Sequence, residues 1–577
     1  MNSKRLLLAI FLCAFSYVSF AQTTYYVNNT TGNNSNPGTL SLPFKTIQKS
    51  VNVASAGATV YVMAGTYIEN IIMNSNSGTI TNPIHFKNYN NDVVLIDGKG
   101  TNANSGDALW SITDVDNIII DGFVFQNIIN LWVKGLIINK NCNNITITNN
   151  TIREVHFSND PNESVEYSEN ASPLLVYSTD PANPVTNVVF SNNEIYNCRT
   201  GYSESMTLNG NVDGFLLENN YIHDVANIGI DIAGHFGACS DPAFDQARNG
   251  TVRGNVLHNC ASNVAIAGSI YVDGGKNTII ENNTVYDGQV GIAVGCENPG
   301  KTADNIIVRN NITYNNTETG IEIGGYDYPT VSGKVTNSEI YGNTCYKNDT
   351  GNNWVGELWV NYVENLTVRN NIFYADNINK VLFYYADNNG AGNTFNYNVF
   401  NTPTGATDCL FSFNGEGYGS FDWYKSQTGT DLNSTFADPL FLDATNQDFH
   451  LLSNSPAIDA GDPTYMVGNN EKDMDNENRI NSGTIDCGAD EYYGTLSNKE
   501  YSALQIEVYP NPTTDIVLVP NTFVNSNYHV YTMLGQSVKT GAINNNKTID
   551  FSSLKSGLYV IKLEANGSQY TTRVIKE

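Results

Sequence analysis

Asparagine recurs through the middle of this chain at the spacing of a coil. The unit is close to N-x-I-x-I-x-N-N-x-I, and it appears at 144–152, 187–195, 215–222, 250–256, 278–285, 305–312, 338–345 and 365–372. The second Asn falls at 150, 193, 220, 255, 283, 311, 343 and 371, so the last four gaps are 28, 28, 32 and 28. Short alternating strands at such a period, with no helix between them, describe a β-solenoid and exclude a βαβ arrangement. The wider gaps of 43 and 35 residues read as loops added to single coils, on the face that carries function. Several of these Asn sit in N-x-T/S sequons. Because they keep the coil period, they are read as a stacked ladder rather than glycan sites. Each side chain then bonds the next coil and tolerates left-handed backbone.

The ends of the solenoid need covers. A strand is expected at 24–28 (TYYVN), and a second at 59–67 (TVYVMAGTY) from its alternation. Between them, Phe44, Ile47, Val51 and Ala54 fall at helical spacing after Pro43, which predicts a helix over 43–54. A helix there would cover apolar strand ends and unpaired edges. This order resembles the N-terminal cap of secreted right-handed parallel β-helices of the pectate-lyase-like superfamily. The expected fold is all-β: a right-handed parallel β-helix with an N-terminal capping helix, plus a small C-terminal β-sandwich.

A chain of 577 residues is too long for one compact core, so an elongated repeat or several units are required. Lys+Arg 29 against Asp+Glu 57 gives a net charge of −28. That surface repels nucleic acid and anionic membranes, and it suits export or recruitment of Ca²⁺. Lys4 and Arg5 precede an apolar run at 6–20, and Ser19-Phe20-Ala21 is a small-x-small cleavage signal. Residues 1–21 are therefore read as a signal peptide, with the mature chain starting at Gln22. The run is too short for a membrane span, and none follows. Eight Cys remain, scattered and with no CxxC pair; they are read as small core residues with room for one disulfide.

From about residue 396 the repeat degrades. Residues 453–493 contain NSPAIDAGDP, DMDNENRI and GTIDCGADEY, which resembles the choice-of-anchor segment that follows β-helices in bacterial surface proteins. Asp459, Asp462, Asp473 and Asp475 are read as turn residues closing the last coil, with cation binding as the other reading. VYPNP at 508–512, YTMLGQSV at 531–538 and SGLYVIKL at 556–563 resemble the C-terminal sorting domain of the type IX secretion system of Bacteroidetes-type bacteria. That resemblance implies delivery across the outer membrane. The expected division is a signal at 1–21, a cap and first coils at 22–95, the parallel β-helix at 96–452, a closing segment at 453–496, a linker at 497–502 and the sorting domain at 503–577.

Chemistry is expected in 228–327. Four glycine-bounded strands there read GIDIAGH, SIYVDGG, GIAVGCE and GIEIGGYD. Aligning their glycines puts Ile230, Ile270, Ile292 and Ile321 in one inward column, and Ile232, Val272, Val294 and Ile323 in the next. Asp231, Tyr271, Asp273 and Glu322 then point outward, with His235, Glu297 and Asp327 just past the strands. Adjacent coils lie about 4.8 Å apart. Asp273 and Glu297 are 24 residues apart, less than one repeat, and so fall on neighbouring coils. Two carboxyl groups about 5–5.5 Å apart suit a retaining glycosidase, and about 6.5–9.5 Å suits an inverting one. Their repulsion would leave one protonated and one ionised at neutral pH.

This arrangement resembles glycoside hydrolases built on parallel β-helices, by which Asp273 would be the nucleophile or base and Glu297 the acid. Tyr271, Tyr326, Tyr328, Trp354 and Trp359 are candidates to stack on sugar rings. Asp231, Glu322 and Asp327 would position the substrate. His235, in the Gly-rich loop 234–250, would bond a hydroxyl or hold the loop. Arg248 would clamp a carboxylate or sulfate, or pin the loop by an ion pair. A second reading is a polysaccharide lyase using Ca²⁺, with Lys276, Arg248, Arg253 and Lys301 as candidate bases. A third is a non-catalytic glycan-binding or adhesin β-helix. No cofactor is certain from the sequence, and Ca²⁺ is the candidate. The expected partners are a poly- or oligosaccharide and the secretion machinery, with no nucleic acid and no membrane span, and the chain is expected to be a monomer.

Overall fold

Each coil of the middle region runs through three short strands and three corners. Ile118–Asp121, Val124–Ile129 and Val133–Asn139 make one such coil, and Ile145–Thr148 then lies beside Ile118–Asp121 to begin the next. Repetition builds three long, almost wholly parallel sheets of 15, 13 and 13 strands, named here first, second and third in the order the chain visits them. The fold is the expected parallel β-helix. A computed structural model describes residues 23–325, 327–386 and 390–494, together with 504–505, 508–520, 523–524, 526–532, 537–565 and 568–576. The expected signal peptide, the linker at 497–502 and Tyr326 lie outside the described residues.

The corner between the first and second sheets explains the repeat. Its first residue takes the left-handed conformation, as at Asn149 (φ 55), Asn219 (φ 55) and Asn370 (φ 58), and at Gly254 (φ 63) where Gly replaces Asn. The next Asn turns inward. Asn150, Asn193, Asn220, Asn255, Asn283, Asn311, Asn343, Asn371 and Asn398 are all at most 1% exposed. Each of the first eight donates Nδ2 to Oδ1 of the following one, at 2.9–3.2 Å. A buried amide is tolerated only when so satisfied. The ladder is the expected one, with one correction. Tolerance of left-handed backbone belongs to the first Asn of the pair, and the cross-coil bond to the second. Asn311, within an N-x-T sequon, is fully buried and has no room for a glycan.

The N-terminal helix is shorter than expected. It spans Ile47–Val53, capped by Thr46, whose hydroxyl accepts from Lys49 N. The Glu69 carboxylate takes the free N–H groups of Ile47 (2.9 Å) and Gln48 (3.0 Å). Phe44 lies outside the helix, bridging Val27 in extended backbone, and it is buried with Ile47, Val51 and Ala54 as the pattern requires. The strand expected over 59–67 bends at a corner. Thr59–Val62 joins the first sheet and Gly65–Tyr67 the second.

A second helix, Phe421–Thr428, buries Phe421 and Tyr424, with the Tyr424 ring stacked on Phe411 at 4.3 Å. The following segment does not close the last coil. It returns along the flank, where Cys487 Sγ donates to Tyr397 O, Gly488 N to Asn370 O, and Ala489 N to Thr344 Oγ1. Asn282 donates to the carbonyl of Asp473. Among the four acids expected at turns, Asp462 accepts Thr464 N (2.9 Å) and also pairs Arg369 (2.9 Å). Asp459 takes Thr484 N, Asp473 takes the N–H groups of Asp475 and Glu477, and Asp475 accepts from His450. All eight described Cys are buried and free, with no disulfide among them.

The chain divides into two units at 492/493. The second has its own core around Val517, Val530, Ile549, Phe551 and Ile561. Five strands form one of its sheets, and Ile516–Leu518 pairs with Thr548–Asp550 in another. No helix among the described residues is long and apolar enough to cross a membrane.

A carboxyl-lined cleft on the third sheet

The two inward columns read from the glycine alignment are in register. Ile230, Ile270, Ile292 and Ile321 pair across neighbouring strands, as do Ile232, Val272, Val294 and Ile323, and all are at most 1% exposed. With these fixed, alternation sends the residues between them to the outer face. Thr207, Asp231, Tyr271, Ala293, Glu322 and Trp359 therefore stand side by side across six strands. Ala233, Asp273 and Gly295 form the next outward column. Gly295 leaves room for the Tyr271 hydroxyl, which a Cβ there would meet at 3.0 Å. Gly324 (φ +127) lets the Asn361 carbonyl approach where a Cβ would collide.

This face is the floor of a cleft of about 770 Å³. Asp231, Tyr271, Asp273, Glu297 and Glu322 all line it. Asp273 and Glu297 come together from neighbouring coils: the carboxyl of Asp273 accepts the backbone N–H of Glu297 at 2.7 Å. Asp231 is buried, and its Oδ1 has no hydrogen-bond partner. Glu297 reaches the open lip.

A further acid was not expected. Glu204 lines the same cleft, and its carboxyl accepts from Thr207 Oγ1 at 3.0 Å. It sits at the corner before the strand Met206–Gly210, where no alternation points to it. Trp132, Tyr167, Tyr202 and Phe236 also line the cleft and were missed. The wide repeat gaps were an available signal for two of them, because Tyr167 falls in the gap of 43 residues and Phe236 in that of 35.

Crowding sets the electrostatics. Burial raises the Asp273 pKa well above its ordinary value, and Glu297 and Glu204 add to it. Asp231 is raised well above its own by burial, then by Glu204, Asp273 and Glu297. Loss of water also raises Glu297, and burial pushes Glu204 and Glu322 each to about 7. No Lys or Arg is among the described residues lining the cleft. Five carboxyl groups crowded without a cation resist ionising together, which favours acid and base forms side by side in one cleft.

Several expected residues stand elsewhere. His235 does not line the cleft; its Nε2 faces the Thr302 carbonyl at 3.1 Å, which is its loop-holding reading. Arg248 begins a strand of the first sheet and pairs Asp213 at 3.1 Å, the pinning reading. Asp327 is exposed outside the cleft, and Tyr328 packs on Tyr362 at 6.1 Å. Trp354 is exposed but is no lining residue, whereas Trp359 is one. Of the candidate lyase bases, Lys276 faces Asp304 (3.6 Å) and Arg253 pairs Glu218 (2.7 Å). None of the four lines the cleft.

One group among the described residues brings three metal-ligating atoms within 4.8 Å, namely His450, Asp475 and Asp490. Both ring nitrogens of His450 are already engaged, by Asp448 (2.5 Å) and Asp475 (2.6 Å). Those hydrogen bonds raise its pKa to about 10, so it is held as a cation between carboxylates and offers no lone pair to a metal.

Comparison with known proteins agrees with this architecture. Residues 182–346 and 251–419 match the family described as right handed beta helix region. Residues 507–577 match the secretion system C-terminal sorting domain, and residues 30–74 match a family described as protein of unknown function. The sorting domain marks the chain for type IX export to the cell surface or beyond. The uncharacterized protein YwoF of Bacillus subtilis (strain 168) is 35% identical over 440 residues, covering 74% of this chain and 90% of its own. Pectate lyase PEL9 of Emericella nidulans is 32% identical over 90 residues, 15% of this chain and 22% of that protein. The crystal structure of pectate lyase Pel9A aligns at a TM-score of 0.39 and 15% identity, covering 81% of this chain and 96% of that one.

Proposed function

The chain belongs to the family of YwoF, and from that premise we propose that it is an exported, carbohydrate-active β-helix that hydrolyses glycosidic bonds. The observation that carries this reading is the crowding of four carboxyl groups, Glu204, Asp231, Asp273 and Glu297, in one cleft that no Lys or Arg lines. A protein that only binds sugar has no need of acids such as Asp231 and Asp273, buried with no cation beside them, which cost stability. A hydrolase needs one carboxyl protonated and one ionised.

In this reading Glu297 gives its proton to the glycosidic oxygen as the bond to the anomeric carbon breaks. Asp273 supplies the electron pair to that carbon, directly or by taking a proton from an attacking water. The backbone N–H of Glu297 favours the ionised form of Asp273 over its buried neighbour Asp231. The leaving sugar carries away the proton from Glu297. After direct attack, Glu297 takes a proton from a water that displaces Asp273 from the carbon, which restores both groups; after attack by water, Asp273 gives its proton to solvent and Glu297 regains one from it. Tyr271, Glu322 and Trp359, in register beside the pair, would hold the sugar rings.

The second reading, β-elimination by a lyase, is favoured by the short stretch shared with pectate lyase PEL9. It requires a base, and the expected Lys and Arg candidates lie outside the cleft. The test is a polysaccharide panel offered to the purified chain. New reducing ends without the ultraviolet absorbance of an unsaturated uronate support hydrolysis. That absorbance would replace hydrolysis with elimination, and neither signal would remove the enzymatic reading.

A further inference from the structure

The lining of the cleft carries information about charge that its fold does not. We infer, resting on the glycan-cleaving reading above, that the substrate is an uncharged glycan and that the cleft rejects uronate-bearing ones. Three observations lead there. Glu204, Asp231, Asp273, Glu297 and Glu322 line the cleft, and no Lys or Arg is among its described lining residues. A uronate carboxylate seated there would add one more negative charge to carboxyl groups already too crowded to ionise together, with no cation to offset it.

The vacancy inside the cleft is an acceptor. Asp231 Oδ1 is buried without a partner, and a sugar hydroxyl can donate to it.

The remaining walls suit bare sugar rings. Trp132, Phe236 and Ile266, about half exposed, line the cleft beside the acids. Trp132 precedes a strand three coils before that of Asp231, about 14 Å along the axis. Trp359 stands four coils beyond Asp231, about 19 Å away. Flat apolar surface on both sides of the acids recognises the C–H faces of uncharged rings.

The experiment is retention of the full chain and of Asp273→Asn, which binds without turnover, on immobilised glycans. The set holds neutral xylan, mannan, glucan and galactan, with polygalacturonate, alginate and carboxyl-reduced polygalacturonate, each with added Ca²⁺ and with chelator. The expected result is retention on a neutral glycan, with uronate polymers at least about tenfold weaker. Carboxyl reduction or the double variant Glu204→Gln/Glu322→Gln should narrow that gap. Retention on a uronate polymer as strong as on any neutral one, with or without Ca²⁺, overturns the inference and leaves the glycan reading standing. Retention on nothing in the set removes the glycan reading and the inference with it.

Discussion

Two regions of this molecule bury acids, and they treat them in opposite ways. Along the flank covered by residues 453–492, acids are given partners. Glu281 and Glu471 hold Arg309 (2.6 and 3.2 Å), Glu339 and Asp462 hold Arg369 (3.1 and 2.9 Å), and Asp486 accepts the N–H groups of Asp459 and Tyr492. In the cleft, Asp231 has an oxygen with no partner and Asp273 accepts a single backbone N–H, with no cation lining the space. A buried carboxylate is tolerated when it is paired, and otherwise gives up its charge. The paired flank acids therefore hold the fold, while the crowded cleft carboxyl groups sit near the balance of charged and protonated forms that acid–base chemistry needs.

Substitution should separate the two regions cleanly. The largest effect is expected in the cleft: Asp273→Asn should lower kcat/KM about 10²–10⁴-fold with no loss of thermal stability, read by initial rates beside a melting curve. On the flank the pattern reverses. Arg309→Met leaves Glu281 and Glu471 unpaired and should cost about 3–5 kcal/mol in denaturant unfolding, with kcat unchanged below the new transition. An activity loss in this variant at full folding would blur the distinction.

The Asn ladder offers a control inside the core. Asn283→Ala removes bonds to Asn255, Asn311 and the Val252 carbonyl, and should cost about 1–3 kcal/mol for each buried group left unsatisfied. The smallest effect is one of pH. Glu322 has its pKa raised by burial to about 7, above its unfolded value. It binds a proton on folding, so its contribution favours the folded state below the unfolded pKa and is lost as pH rises toward 7. Glu322→Gln should then raise the melting temperature at pH 8 more than at pH 4, and an equal change at both would contradict the shift.

The fold was legible because its two rules repeat. Alternation at Ile230–Ile232 and its counterparts marks the inward face, and the Asn spacing marks one corner of every coil. The site was legible where residues lie on strands, as Asp231, Tyr271, Asp273 and Glu322 do, and for Glu297 just past one. Glu204, Trp132 and Tyr202 arrive from corners, where no period says which way a side chain turns. Arg248 was expected at the site because it lies in the Gly-rich loop 234–250 that follows the strand of Asp231. The corner before it carries the chain into the first sheet, away from the cleft. The return of 453–492 along the flank was illegible for a similar reason, since its partners Arg309 and Arg369 precede it by more than 90 residues.

The pH profile of kcat/KM in Glu204→Gln tests the central claim most directly, because Glu204 raises the pKa of both Asp231 and Asp273 by its negative charge. Removing that charge makes the remaining acids easier to ionise. The predicted result is a bell-shaped profile whose acidic limb, set by Asp273, moves to lower pH than in the unsubstituted chain. A profile that does not move would mean that these carboxyl groups do not feel one another, and the cleft would then be no place for paired acid and base chemistry.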